Sequence, residues 1–364
     1  MAGAAGNEDE PATTEVAPSS NGAGSGSRAL AGLSGRLRAP RYSAIWVATA
    51  LLFAVSPLLA SNSLTSGALL SMLPFAAMLA IAAIGQTLVI QQRGLDLSVP
   101  GMILLSTVVV TLHAGGHNSR LPVAILLVVA ACVASGVISG VAITQFGITP
   151  LVATLGVNAL LFGMVYQLNS GQATASSPPG LASFAAAKTA GIPNTAVVAV
   201  IAVVVIAVLI RATVPGRRFI AVGASPAAAR AAGIRVNAYV ITTYVIASLT
   251  YGAAGLLITG YLLTPGLDAG STYLLPTIAA VVLGGTSLAG GTGSVVATAV
   301  GALFLQQLQQ VLTANGAAAS IEDIIQGAII ALGMLLRNVP WGRLWARVAL
   351  ASAPLTPAVV EQDR

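Results

Sequence analysis

Charged side chains are scarce in this sequence. Only 7% of its 364 residues are Asp, Glu, Lys or Arg, whereas 56% are hydrophobic, so the polar surface is too small to coat a soluble fold. Cysteine occurs once, at Cys132, and one chain can therefore build neither a disulfide framework nor a multi-thiolate metal site. The net charge of +6 does not indicate nucleic acid binding, because the basic residues are scattered among short loops without interleaved aromatic residues.

The sequence also lacks a catalytic or metal-binding constellation. Its two histidines, His113 and His117, lie in one short loop, and the acidic residues are scattered along the chain. Two histidines do not complete a zinc site. We therefore expect neither an enzyme nor a metal protein.

Most of the sequence consists of long uncharged hydrophobic runs. They extend over 42–92, 121–187, 236–267 and 269–321, and each exceeds the roughly 20 apolar residues that cross a hydrocarbon core. In lipid the backbone satisfies its hydrogen bonds only within helices or closed barrels, and continuous runs without alternation favour helices. The sequence therefore predicts an all-α polytopic membrane protein.

Breaks at glycine, proline and polar clusters divide the runs into about ten crossings. The third crossing is short and is interrupted by Pro100-Gly101. We place the crossings near 43–60, 67–90, 98–113, 121–144, 150–168, 194–212, 238–263, 272–290, 293–313 and 321–337.

The distribution of basic residues predicts the orientation. With the N-terminus in the cytoplasm, ten crossings leave only Arg120 and Lys188 outside, as the positive-inside rule requires. Both termini are then cytoplasmic, with a disordered tail at 1–41, the transmembrane domain at 42–337 and a C-terminal tail at 338–364. The basic residues on the cytoplasmic side are Arg28, Arg36, Arg38, Arg41, Arg93, Arg211, Arg217, Arg218, Arg230, Arg235, Arg337, Arg343, Arg347 and Arg364.

Small residues recur at helical spacing in two of the crossings. Gly136 and Gly140 form one small-xxx-small pair, and Gly252, Gly255 and Gly260 follow each other along the seventh crossing. Such residues let helices approach closely where lipid supplies no hydrophobic drive, so we expect helix contacts there.

The first unusual polar segment is 91–101. Its glycines and proline indicate a broken helix or re-entrant turn near 94–101, which is tolerated at membrane depth only where protein or water covers it. An unpaired Asp96 at mid-bilayer would cost roughly 3 kcal/mol and would be a functional residue by default. The alternative is an interfacial loop in which Arg93 pairs with Asp96 and Ser98 caps a helix. Both interpretations stay open on these residues alone.

The second segment is the long basic connection 216–235. Ser225 can cap a short helix with Pro226 at its first position, and Gly233 stops it. A small, Ala-rich, basic helix outside the bilayer offers a smooth surface to the groove of a soluble partner. The alternative is a connecting helix that is merely solvated.

The third segment is the glycine-rich stretch 284–293. Gly285 to Thr292 fits the spacing G-x-x-x-x-G-x-T, but Gly291 stands where the phosphate-binding lysine belongs, and no hydrophilic domain surrounds it. We therefore expect a reversal between two helices and no nucleotide site.

In this order and separation, the segments resemble the permeases of ribose-type ABC importers, a family that also handles xylose, arabinose and galactose. Residues 83–90 followed by 94–99 look like the family's helix entering a Gly-Ile-Asp-Leu-Ser-Val-Gly turn. Residues 148–156 are similar to its next landmark, and residues 223–234 resemble its ATPase-contacting segment. Residues 279–291 match nearly letter for letter. The resemblance covers about 79–336.

The resemblance implies a translocation subunit with no bound cofactor and no ATPase site of its own. It implies two permease copies around one pathway in the bacterial cytoplasmic (inner) membrane, two cytoplasmic ATPase subunits that use ATP, and an extracytoplasmic sugar-binding protein. The residues expected along the pathway are Gln86, Gly94, Asp96, Leu97, Ser98, Thr154, Asn158, Gly284, Gly285, Thr286 and Ser287. Those expected to couple to the ATPase are Gly223, Ala224, Ser225, Pro226, Arg230, Gly233 and Ile234.

Two positions depart from the family pattern, and other functions compete. Arg93 replaces the small residue usual before Gly94, and Pro100 is inserted before Gly101. Aromatic residues make up only 5%, which argues against sugar-stacking rings inside the channel. The alternatives are a related permease for branched-chain amino acids, nucleosides or an autoinducer sugar, an ion-coupled transporter that uses Asp96, and a structural scaffold.

Overall fold

The computed structural model describes residues 42–170, 172 and 176–338, with side chains described as far as Leu332. The predicted tails at 1–41 and 338–364 therefore lie outside the described residues, apart from Asn338, which ends the last helix. The arginines in those tails, on which part of the orientation argument depends, lie outside them as well.

The first half of the described chain is helical apart from one small hairpin. A 3-10 turn, Asn118–Arg120, leads into α4, and two-residue strands β1 (Lys188–Thr189) and β2 (Ile192–Pro193) pair antiparallel. The helices are α1 (Ser43–Leu59), α2 (Ser66–Gln91), α3 (Val99–Ala114), α4 (Leu121–Thr144), α5 (Pro150–Asn169), α6 (Pro179–Ala186) and α7 (Asn194–Ala212).

The second half begins with two short helices and continues with longer ones. A 3-10 turn, Ser271–Tyr273, leads into α11. The helices are α8 (Val214–Ala224), α9 (Pro226–Ala231), α10 (Val236–Leu262), α11 (Leu274–Leu283), α12 (Val295–Ala314) and α13 (Ala319–Asn338).

In the part of the chain that the structure describes, six helices are long and apolar enough to cross a membrane, so the chain is a multi-pass membrane protein. They are α2, α4 with its leading turn, α5, α7, α10 and α12, while α1, α3 and Ser271–Leu283 are shorter apolar helices. The predicted crossings coincide with helices to within a few residues, with one exception. The crossing predicted at 272–290 is wrong in extent, because α11 ends at Leu283.

Helices α2, α9 and α11 end in the same motif. In each, the second residue after the helix has a left-handed backbone, and the residue after it bonds back to a carbonyl of the last turn, which is the Schellman arrangement. The left-handed residues are Arg93 (φ 66°), Gly233 (φ 75°) and Gly285 (φ 75°). The closing bonds run from Gly94 N to Val89 O (3.0 Å), from Ile234 N to Ala229 O (3.0 Å) and from Thr286 N to Val281 O (3.2 Å).

The core is centred on α10 and α2. α10 packs against α2, α3, α4 and α6, and α12 packs against α1, α2 and α11. Tyr244 and Tyr251 of α10 are fully buried among these helices. In contrast to these buried side chains, large apolar side chains are exposed on α4, α5 and α7, such as Leu126, Leu160 and Val200. Exposed apolar side chains of this kind suit contact with lipid.

The predicted helix contacts at glycine are confirmed. A Cβ at Gly136 would lie 2.6 Å from Val245 N, and one at Gly140 would lie 2.6 Å from Ile241 Cα, so α4 and α10 meet backbone to backbone. Cys132 is buried and packs on Gly252. Gly255 lies against α3 and Gly260 against α6.

We expect Gly136→Ala to destabilise the protein by roughly 1–3 kcal/mol, because the added methyl has no room between α4 and α10. The measurement is the thermal unfolding midpoint in detergent. Gly163→Ala on α5 is the matched control, since a Cβ there meets nothing within 4 Å. Equal midpoints for the two variants would show that α4 and α10 do not make this contact.

Candidate functional site

The segment between α2 and α3, residues 92–98, carries several of the predicted site residues. Arg93 holds the left-handed position that usually belongs to glycine, since a Cβ there costs roughly 1–2 kcal/mol. At the next position, a Cβ on Gly94 would overlap the Tyr244 hydroxyl oxygen. The backbone therefore passes directly against α10, which glycine alone allows.

Asp96 points into the protein and is fully buried. Its Oδ1 accepts hydrogen bonds from Ser98 N at 2.8 Å and from Ser98 Oγ at 2.6 Å. The interfacial-loop alternative expected an Arg93–Asp96 ion pair and a Ser98 cap on α3, and both expectations are wrong. Arg93 bonds elsewhere, and the Ser98 side chain makes no bond to the first turn of α3.

A buried polar cluster surrounds the Asp96 carboxylate. The Tyr251 hydroxyl donates to Gln86 Oε1 at 3.1 Å and also lies within interaction range of Asp96. Gln86 and Tyr251 are both fully buried, and the Tyr244 hydroxyl lies against Gly94. An ionised carboxylate in such a place is stabilised only by neighbouring hydrogen-bond donors. Here the Ser98 N–H and hydroxyl donate to Oδ1, whereas Oδ2 of Asp96 and the Tyr244 hydroxyl have no hydrogen-bond partner among the described residues.

Helix α5 satisfies the backbone of the broken segment. Thr154 Oγ1 accepts from Leu97 N at 3.0 Å, and Asn158 Oδ1 accepts from Gly101 N at 2.9 Å. Gly101 lies in the first turn of α3, where the N–H groups have no partner within the helix. Side chains of one helix thus complete the hydrogen bonding of another, as the re-entrant interpretation requires.

The position of Pro100 corrects one expectation. Pro100 was predicted to interrupt the third crossing, whereas α3 begins at Val99 and continues through it. Proline in the first turn costs no hydrogen bond, because its missing N–H would have had no helical partner. The break is therefore 92–98 rather than 94–101.

The connection after α7 contains two short helices rather than one. The predicted cap is confirmed: Ser225 Oγ accepts from Ala228 N at 3.3 Å, Pro226 begins α9, and Gly233 follows its end. Helix α8 is an addition to the prediction. It forms because Thr213 caps it by accepting from Gly216 N at 3.1 Å.

The three sequence segments meet at one place. The Arg93 guanidinium donates from Nε to Gly223 O at 2.9 Å and from Nη2 to Ala224 O, and Gln92 Nε2 donates to Phe219 O at 2.8 Å. These are carbonyls of the last turns of α8, where a cation also complements the helix dipole. The end of α2 is thus bonded to the end of α8.

The glycine-rich stretch completes this junction. It is a reversal between α11 and α12, as predicted, and Gly291 N donates to Gln91 O at 2.8 Å. A Cβ at Gly291 would lie 2.6 Å from Ala224 Cα, and one at Gly290 would lie 2.8 Å from Gly223 O. The turn therefore packs between α2 and α8 at backbone distance.

The predicted pathway residues separate into two groups. Gln86, Gly94, Asp96, Leu97, Ser98, Thr154 and Asn158 form one cluster at the break between α2 and α3. Gly284 packs on Thr298 of α12 instead, and the turn containing Gly285, Thr286 and Ser287 follows it. Among the described residues, no group of three or more His, Cys, Asp and Glu side chains could hold a metal ion.

The structure also shows a cavity that the sequence analysis did not find. It has a volume of about 630 Å³ and lies between α2, α10, α11, α12 and α13. Four glutamines line it, and none of the predicted pathway residues does. In the sequence, its polar lining is indicated by a run of amides within an otherwise apolar helix, Gln306-Gln307-Leu308-Gln309-Gln310.

Comparison with known proteins identifies the class. A family model described as "branched-chain amino acid transport system / permease component" matches residues 68–334, which is most of the transmembrane domain. The chain therefore belongs to this family of transport permeases.

Individual relatives are similar over most of the chain. The ribose import permease protein RbsC of Escherichia coli is 33% identical over 296 residues, covering 80% of this chain and 92% of that protein. RbsC of Bacillus subtilis is 32% identical, with 74% and 84% covered, and the autoinducer 2 import system permease protein LsrD of Escherichia coli is 30% identical, with 76% and 86% covered. No solved structure matches.

We expect Thr154→Val to destabilise the protein by about 1–3 kcal/mol, because it removes the acceptor for the buried Leu97 N–H without changing the side chain's shape. Thr154→Ser keeps the hydroxyl and is the matched control. The measurements are the unfolding midpoint in detergent and solute uptake in vesicles. If the Thr154→Val and Thr154→Ser variants have the same unfolding midpoint and the same uptake, the Thr154 hydroxyl does not support the broken segment.

Proposed function

We propose that this chain is the membrane-spanning permease subunit of an ATP-driven importer that carries a simple sugar across the bacterial cytoplasmic membrane. Ten helices, α1 to α5, α7 and α10 to α13, cross the membrane, and both termini are cytoplasmic. Two copies form the pathway, two ATPase subunits bind on the cytoplasmic side, and an extracytoplasmic binding protein delivers the sugar. The relatives named for ribose and autoinducer 2 import support the sugar class.

The observation that carries the proposal is the junction of α2, α8 and the turn between α11 and α12. The basic segment that resembles an ATPase-docking element is bonded through Gly223 and Ala224 to Arg93. Arg93 lies in the same broken segment, 92–98, as Asp96. A displacement of α8 and α9 is therefore transmitted to a break at membrane depth without an intervening flexible loop.

The mechanism in this proposal is alternating access. ATP-driven closure of the ATPase subunits moves α8 and α9, and Arg93 transmits that movement to the end of α2. The turn at Gly290 and Gly291 transmits it to α11 and α12, so both sides of the pathway shift together. The sugar needs only weak contacts, because the conformational change is driven by the partner.

The glycine turn supports the assignment of ATP to a partner subunit. Phosphate-binding loops offer free backbone N–H groups to the ligand. Here Gly291 N donates to Gln91 O, and Ser287 N donates to Thr292 O at 2.8 Å. These two donors are used inside the protein, so the turn packs between helices and does not offer them to a phosphate.

We expect Arg230→Glu to weaken association with the ATPase subunit by roughly tenfold or more, which corresponds to about 1.4 kcal/mol. Arg230 is exposed on α9, and reversing its charge places an acidic side chain on the basic docking surface. The measurement is co-purification of the ATPase with the native complex. Arg120→Glu, on an exposed residue of the opposite side, is the control. Unchanged assembly and uptake in Arg230→Glu would remove α9 from the docking role.

We expect Arg93→Gly and Arg93→Ala both to reduce ATP-dependent uptake by about tenfold or more, because each removes the bonds to the end of α8. Glycine relieves the left-handed backbone and alanine does not, so the glycine variant should unfold at the higher temperature. Arg120→Ala serves as the control for loss of an arginine.

The measurement is sugar uptake into vesicles that contain the full complex, with and without ATP. Normal uptake by both Arg93 variants would contradict the coupling role of the junction. Uptake by the wild-type chain without ATP or an ATPase partner would overturn the proposed function and favour an ion-coupled transporter.

A further inference from the structure

The cavity of about 630 Å³ lies away from the Asp96 cluster, and its chemistry is informative. The start of α2, the end of α10 and the end of α12 surround it. In the proposed orientation all three ends lie on the extracytoplasmic side. The volume falls within the roughly 300–1,000 Å³ that is usual for a small-molecule site.

Neutral amides dominate the polar lining of the cavity. Gln306, Gln309 and Gln310 project from α12 and Gln326 from α13, and Asp268 is the acidic residue that lines it. Among the residues that the structure describes, no Lys, Arg or His lines it. A ligand carboxylate would thus meet only neutral amide and hydroxyl donors and no cation among the described lining residues, so its desolvation is offset less completely than that of neutral hydroxyl groups.

The amides are held in a defined orientation by Glu322. Its carboxylate accepts from Gln309 Nε2 at 3.0 Å and from Thr313 Oγ1 at 2.9 Å. Because a carboxylate only accepts, Gln309 must turn its carbonyl oxygen toward Gln306, whose Nε2 donates to it at 2.8 Å. This leaves the oxygen of Gln306 and one of its N–H groups for a ligand.

Two further lining amides supply unused acceptors. Oε1 of Gln310 and Oε1 of Gln326 are buried and have no hydrogen-bond partner among the described residues. Buried acceptors of this kind are costly unless a donor reaches them. Both oxygens are covered by protein, so the hydroxyl groups of a neutral ligand can donate to them only when the amides turn toward the cavity on binding.

We propose that this cavity is a weak receiving site for a neutral polyhydroxylated ligand of one-ring sugar size, filled when the sugar leaves the binding protein. The proposal rests on the proposed function and adds the site and the ligand chemistry to it. It also predicts that neutral hydroxyl groups are favoured in this cavity over the carboxylate of a free amino acid. Phe75, held edge-to-face by Tyr261 at 5.3 Å between ring centroids, supplies apolar surface for the ring carbons.

The test is protection of a cysteine introduced into the cavity, measured in the full complex with its ATPase and binding-protein partners. Ser71 lines the cavity and is exposed, so Ser71→Cys is expected to react with a membrane-impermeant maleimide. Cys132, the only native cysteine, is buried, and the wild-type chain therefore gives the background. Ser66→Cys, exposed on the same helix but outside the cavity, is the matched control.

We expect D-ribose, at about ten times its dissociation constant for the cavity, to slow labelling of the Ser71→Cys variant roughly tenfold. The labelling rate of the Ser66→Cys variant should not change. L-leucine should protect neither variant. Protection by leucine, or no protection by any of ribose, xylose, arabinose and galactose, would overturn the proposal. Retained ATP-dependent sugar uptake together with absent protection would reject the cavity alone and leave the proposed function standing.

A second pair of variants tests the amides directly. Gln306→Leu removes a lining amide, whereas Gln307→Leu removes its neighbour, which points away and donates from Nε2 to Ser56 Oγ at 2.9 Å. We expect uptake at saturating binding protein to fall about tenfold in the Gln306 variant and much less in the Gln307 variant, at equal amounts of assembled complex. The reverse order, or equal uptake in both, would contradict a role for the lining amides.

Discussion

The structure depends on one constraint: backbone hydrogen bonds that a helix break exposes inside a membrane must be satisfied by the protein itself. The break at 92–98 meets it with two side chains of α5, Thr154 and Asn158, and with Asp96, which folds back on Ser98. The Schellman motif at Arg93 closes the end of α2. With the backbone of the break satisfied in this way, the Asp96 side chain lies buried beside Tyr251 and Gln86.

The charge-free runs and the loop punctuation were sufficient to predict most helices, because membrane-length apolar segments leave the backbone few alternatives. They were not sufficient to choose between an inward and an interfacial Asp96. That choice depends on Thr154 and Asn158, which are distant in the sequence and are brought near by tertiary packing alone. The local sequence pattern does not indicate such a contact.

Two other elements were missed for different reasons. Helix α8 contains Pro215 and Gly216 at its start, and both residues usually indicate a break, yet in a first turn capped by Thr213 they cost little. The glutamine run of α12 was overlooked because amides carry no charge and do not interrupt an uncharged segment. A search for clustered amides in apolar helices would have found the cavity before the fold was known.

The backbone contact between α4 and α10 limits how the molecule can change shape. Gly136 and Gly140 lie against Val245 and Ile241 so closely that neither helix can slide along the other without its neighbouring side chains colliding. These two helices therefore move as a single rigid body. Any change of shape in the proposed transport cycle must leave this pair intact and displace other helices relative to it.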